Sequence, residues 1–142
     1  MNKLFSTDPV FLKSGLTIIR IIIGFFLAYH GWEVFDKNKM NEYIAWDVFK
    51  NSSSPSFMAY MGKTSELAGG LLLAIGLFTR IAALIIIGTF IYIPFFVGSG
   101  KILYEDQYPF LFALFGFVFF FAGPGKWSVD HLLFDKKPNE LK

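Results

Sequence analysis

The chain contains no cysteine, so disulfides, thiolate metal ligands, iron–sulfur clusters and thiol relays are absent from its own chemistry. It has only two histidines in 142 residues, and no Gly-rich phosphate-binding loop follows a strand-like run. Charge is scarce as well: 17% of residues are charged, against about 25% in an average soluble domain. The net charge of +2 comes without a basic groove of interleaved Lys, Arg and aromatic residues, which argues against nucleic acid as a partner.

What the chain has in excess is apolar surface. Hydrophobic residues make up 54% and aromatic residues 20%, with 19 Phe among them. A soluble domain of this size leaves close to a third of its surface in water, so its interior is too small for so many rings. The lipid bilayer is the partner such a composition fits.

Three runs, residues 15–32, 81–98 and 108–125, hold 18 residues each and carry no charge beyond Arg20. At about 1.5 Å rise per residue each covers roughly 27 Å of a hydrocarbon core about 30 Å thick. A fourth run, 67–78, reaches that length if it begins near Pro55, with Ser54 as its cap and Pro55 at its first position. That extension carries Lys63 and Glu66 into the membrane. The first run lacks an Ala-x-Ala-like cleavage site and reads as an uncleaved anchor.

The predicted fold is all-α, a bundle of four transmembrane helices in one domain over 1–142. The spans fall at about 15–34, 56–78, 80–98 and 107–124, with an outer loop at 35–54 and a cytoplasmic tail at 125–142. Thr79 and Arg80 form the tight turn between the second and third spans. Residues 40–50 place Met40, Tyr43, Ile44 and Val48 at helical spacing, which predicts a short helix in the headgroup layer. With the amino terminus inside, Lys3, Lys13, Arg20, Arg80, Lys126, Lys136, Lys137 and Lys142 lie on the inner side, eight cations. Lys37, Lys39, Lys50, Lys63 and Lys101 lie outside, five cations, so both termini are expected in the cytoplasm.

Helix packing in lipid depends on small residues that let backbones approach. Arg20, Gly24, Ala28 and Gly31 form such a ridge on the first span, and Gly62, Gly69 and Gly76 recur every seven residues on the second. Glu66 projects from the same inward side.

Ionisable groups inside a bilayer are functional-site candidates by default. In the proposed orientation His30, Glu33, Lys63 and Glu66 lie in the outer half. Tyr92, Asp106, Gln107 and Tyr108 join them from the outer ends of the other two spans. One polar pocket built from all four helices follows. A hydrogen-bond-accepting headgroup such as a quinone fits there, held by His30 or Tyr92, with Glu66 as the candidate catalytic acid or base. The alternative is that Lys63 or His30 pairs with Glu66 only to tie helices together. His30 and His131 sit at opposite ends of the bundle, which excludes a bis-histidine haem, and no metal site is expected. Glu105 and Asp106 read as a solvated turn. On the inner side Arg20, Arg80 and Asp130 are structural ion-pair candidates. Gly123-Pro124-Gly125 ends the last span, and Ser128 can cap a short helix after it.

The closing run Gly123-Pro124-Gly125-Lys126-Trp127-Ser128-Val129-Asp130 resembles the DoxX family of small bacterial membrane proteins. Arg20 with Gly24, His30-Gly31, Glu66-Leu67-Ala68-Gly69-Gly70 and Gly76-Leu77-Phe78-Thr79-Arg80 are similar to that family's successive patterns, in order. Val34 departs from the lysine that many relatives carry after the His-Gly pair. The resemblance implies a four-helix protein of the bacterial inner membrane, in a family linked to quinone-coupled sulfur oxidation and membrane redox complexes. The expected role is a subunit or accessory of a membrane redox system, with no intrinsic cofactor, a quinone as ligand, and a redox partner protein or a second copy as companion. A non-enzymatic scaffold or assembly factor is the alternative, and a small-solute carrier ranks last.

Overall fold

The computed structural model describes residues 9–134, which are helices joined by turns, with no strand among them. Lys3, Lys136, Lys137 and Lys142, and with them residues 135–142 of the expected tail, lie outside the described residues. Helix α1 (Leu12–Gly31) tightens into a 3-10 turn at Trp32–Phe35 and is followed by short helices α2 (Lys37–Ile44) and α3 (Asp47–Lys50). Helices α4 (Pro55–Ile75) and α5 (Thr79–Tyr92) form a hairpin, and α5 widens into a π turn at Ile93–Val97. Helix α6 (Gln107–Ala122) and the short α7 (Val129–Phe134) complete the chain. The long helices pack in sequence, α1 on α4, α4 on α5 and α5 on α6, while α1 and α6 meet only slightly.

Local chemistry sets the ends of these helices. The Asp36 carboxylate accepts from the Asn38 and Lys39 amides, 2.9 and 3.3 Å, and so starts α2. Pro55 occupies the first turn of α4, where its missing N–H costs nothing. Ser54 stands at the cap position, but its hydroxyl makes no capping bond, contrary to expectation. Helix α4 stops at Gly76, φ 70°, with the Leu77 amide returning to the Leu72 carbonyl and the Gly76 amide to Leu73. Such a left-handed terminus favours glycine because a Cβ is disfavoured there. The turn between the second and third long helices is thus Gly76–Phe78, and Thr79 and Arg80 already belong to α5. Pro94 has no N–H to return along α5, and there the helix loosens, with the Gly98 amide reaching back to the Ile93 carbonyl at 2.7 Å.

The expected ridge on α1 is an interface. A Cβ on Gly24 would strike the backbone of Ala74 and Gly70, and one on Gly31 would strike Leu67. The complementary residue on α4 is Gly70, which meets Ala28, and not the predicted seven-residue stripe. Gly69 faces Ile86 of α5, Gly76 makes the turn, and Gly62 borders open space. A strict seven-residue repeat drifts around a straight helix, so these three glycines do not share one neighbour.

The outer segment holds two short helices in place of the single predicted one, with a break at Ala45–Trp46. Met40 and Phe49 close over Ala59 of α4 in a small buried cluster, which seats the segment on the bundle.

The polarity of the molecule is inverted relative to a water-soluble domain. Arg20 is 0% and Glu66 7% exposed, whereas Phe25 is 64% and Phe121 74% exposed. Two helical stretches, Leu12–Phe35 and Thr79–Val97, are long and apolar enough to cross a membrane. The 16-residue α6 is apolar but shorter, and the 21 residues of α4 include Lys63 and Glu66.

Candidate functional site

One end of the bundle carries a charged cluster built by α1, α2 and α4. Glu33 sits in the 3-10 turn that prolongs α1, where the tightened backbone swings its carboxylate towards α4. Lys63 Nζ lies 2.9 Å from Glu33 Oε2 and 3.0 Å from Glu66 Oε2. Tyr43, on α2, donates its hydroxyl to Glu33 Oε2 at 2.6 Å, and its ring lies 4.7 Å from the Lys63 ammonium. Burial, joined by donation to the Glu33 carboxylate, raises the pKa of the Tyr43 phenol above its ordinary value. The cluster holds two carboxylates and one ammonium. Lys63 and Glu66 stand one helical turn apart, so their pairing is local, whereas Glu33 and Tyr43 arrive only because α1 and α2 fold onto α4.

Beside the cluster lies a cavity of about 650 Å³, within the usual range for small-molecule sites. All four long helices contribute to its wall. Leu27 and His30 come from α1, Gly62, Lys63 and Glu66 from α4, Thr89 and Tyr92 from α5, and Tyr108 and Phe112 from α6. The remaining lining is largely apolar, including Trp46, Leu84, Ile85 and Ile93. Among the predicted residues, His30, Lys63, Glu66, Tyr92 and Tyr108 meet here. Glu33 is not in the wall but holds Lys63 from behind. Gln107 is exposed outside the cavity.

Asp106 also departs from expectation, being buried instead of solvated. Its Oδ2 accepts from the Ser99 and Lys101 amides, both at 3.0 Å, and the carboxylate presses on Gly98. It organises the loop between the π turn and α6. Glu105 remains on the surface beside Lys101 at 3.4 Å.

Sequence reasoning missed the role of Tyr43, which it assigned to an apolar stripe, and Thr89. The signal for Tyr43 was its spacing three residues after the buried Met40, which turns both towards α4.

At the opposite end the predicted ion pairs are replaced by bonds to backbone. Arg20 donates from Nη1 to the Leu73 and Ala74 carbonyls, 2.6 and 2.9 Å, and from Nη2 to the Trp127 carbonyl. It therefore closes the last turn of α4, whose carbonyls lack helical partners. Asp130 accepts from the Phe78 and Thr79 amides, 2.6 and 2.8 Å, and caps α5 from a distant part of the chain. Its own amide donates to the Gly76 carbonyl at 2.9 Å. Neither arginine lies within ion-pair distance of Asp130 among the described residues, although its charge acts on Arg20 through space. Arg80 is exposed. The physical reason is that helix ends leave backbone donors and acceptors without helical partners, and these take up the charges of Arg20 and Asp130. Thr17 Oγ1 receives the Lys126 amide at 2.9 Å, and Ser128 receives the His131 amide at 3.1 Å, capping α7 as expected.

Exposed aromatics outside, buried charges inside and two helical stretches long and apolar enough to cross a membrane describe an all-α protein of membrane-helix character. The DoxX family model matches residues 15–99, and the chain belongs to that family. The closing segment at 123–130 lies beyond the matched residues. An uncharacterized protein of Haemophilus influenzae is 28% identical over 143 residues, spanning 96% of this chain and 100% of that protein. No solved structure matches the chain.

Proposed function

We propose that α1, α4, α5 and α6 each cross a bacterial inner membrane with both termini in the cytoplasm. In this reading the cavity lies in the outer half and binds a quinone-type ring, and the protein serves a membrane redox system as subunit or accessory. The observation that carries this reading is the four-helix cavity with Glu66 in its wall. Apolar walls suit a ring and its tail, His30 and Tyr92 can bond a polar headgroup, and Glu66 can hold or release a proton. A quinone, when bound, would supply the electron-accepting chemistry that no side chain of this cysteine-free chain offers. The electron donor is then a partner protein.

Glu66→Gln preserves size while removing the charge and the exchangeable proton. The expected result is a folded, inserted protein with reduced quinone retention after gentle purification and reduced partner-coupled turnover. The pairing of Lys63 with both Glu33 and Glu66 favours a second reading, a scaffold in which these charges only lock helices. That reading predicts instead a fall in thermal stability with retention falling only as the folded fraction does. Single cysteines at Asn51 and Ser99 should react with an impermeant reagent in intact cells, and those at Ser6 and Asn139 should not. The reverse pattern would overturn the orientation.

A further inference from the structure

The polar wall of the cavity contains one carboxylate, Glu66, among several groups that can donate. Lys63 directs two bonds to Glu33 Oε2 and Glu66 Oε2 and holds its remaining face over the Tyr43 ring. Glu33 receives a further donor from Tyr43, but Glu66 receives none. Glu66 is 7% exposed and lines the cavity, and the bond from Lys63 falls on its Oε2, with none to Oε1 among the described residues. A ligand in the cavity that donates to the second carboxylate oxygen gains a charge-assisted bond.

A second observation concerns how a ligand lies there. Gly62 on α4 and Gly88 on α5 both line the cavity, and a Cβ added to either would meet nothing within 4 Å. Met61 and Leu84, which also line the cavity, are exposed. At these two positions the α4–α5 wall of the cavity carries no side chain and has room beside it.

We infer that the cavity selects a membrane-dissolved amphiphile headed by an O–H donor, which bonds Glu66 Oε1 while its alkyl tail leaves through the Gly62–Gly88 seam. This rests on the ligand reading proposed above and narrows it: a hydroquinone or another hydroxyl-headed lipid fits, and a headgroup that only accepts hydrogen bonds does not satisfy Glu66. Thr89 and Tyr92, across the cavity, can bond a second oxygen of the ring.

The test uses the full chain in lipid nanodiscs and four compounds: a decyl hydroquinone, its dimethyl ether, the matching quinone, and dodecanol. Binding is read by native mass spectrometry and by thermal shift, with no turnover involved. The hydroquinone should bind about tenfold more tightly than the ether or the quinone, the scale of one bond to a charged acceptor. In Glu66→Gln that difference should collapse, because the amide can donate as well as accept. Gly88→Leu should weaken all the alkylated compounds together while leaving the unliganded melting temperature unchanged, which keeps the test decisive if Glu66→Gln fails to fold. Equal binding of hydroquinone, ether and quinone would overturn this inference and leave the quinone reading standing. Dodecanol bound while all ring compounds are rejected would keep the donor-headed site, assign it to a lipid alcohol, and remove the quinone reading. No binding of any compound would overturn both.

Discussion

The two ends of this bundle use the same kinds of residue for different purposes. At one end Arg20 and Asp130 direct their charge at backbone carbonyls and amides, and the small residues Gly24 and Gly70 bring helices into contact. At the other end Lys63, Glu33 and Glu66 hold one another, and Gly62 and Gly88 leave space. At the helix termini the Arg20 guanidinium spends its Nη groups on backbone carbonyls and leaves its buried Nε without a partner among the described residues. A buried charge beside a cavity keeps an unpaired oxygen, and that remainder is what a ligand can address.

Variants at the two ends should separate along the same line. The largest effect is expected for Arg20→Met, which strips donors from the Leu73, Ala74 and Trp127 carbonyls. It should cost about 3–5 kcal/mol in a detergent unfolding titration, the scale of breaking a buried charged network. A loss below 1 kcal/mol, roughly the worth of a single ordinary hydrogen bond, would mean that water replaces the guanidinium and that the Arg20 end is not the lock described.

Next is the glycine comparison. Gly70→Ala pushes a methyl into the backbone of Ala28 and should destabilise by about 3 kcal/mol, as overpacked contacts do. Gly62→Ala faces open space and should leave stability within about 0.5 kcal/mol of the parent, as ordinary unobstructed substitutions do. Equal effects at both sites would erase the contrast between a closed seam and an open one.

Asp130→Asn should cost about 1–2 kcal/mol, the usual value of a helix cap. A cycle with Arg80→Gln should be additive to about 0.5 kcal/mol, since the two side chains share no contact. Strong coupling would restore the ion pair in place of the cap. Removing the Asp130 charge should also leave ligand retention per folded molecule unchanged.

Among the losses, the smallest is expected for Tyr43→Phe, about 1 kcal/mol for one partly exposed hydrogen bond. Because the folded-state pKa of Tyr43 is raised, its contribution is complete below the unfolded value of about 10 and is lost as pH rises through the folded value. The parent should therefore lose stability in alkali more steeply than Tyr43→Phe. Parallel pH curves would show that the phenol does not titrate against the Glu33 charge.

Much of the candidate site was legible in the chain. Glu66, Lys63 and His30 stand out because ionisable residues in apolar runs are few, and their depth along each run follows from helical rise. Gln107 and Asp106 were misplaced because their positions depend on the loop after the π turn, where Pro94 and the buried Asp106 redirect the backbone. Tyr43 was missed because its hydroxyl matters only once α2 is seated on α4.

By itself the sequence determined the all-α class, the apolar exterior, the Gly24–Ala28–Gly31 seam and the ends of the helices at Pro55 and Gly123. Each of these follows from hydropathy, residue volume or local backbone preference, quantities that act within one turn or along one run. Only the tertiary structure decided which donors reach which acceptors: that Arg20 meets carbonyls and not Asp130, that Asp130 caps α5, and that Glu66 keeps an oxygen free. Hydrogen bonds require partners within about 3 Å at a set angle, and residues 50 to 110 positions apart acquire that geometry only when the helices have packed.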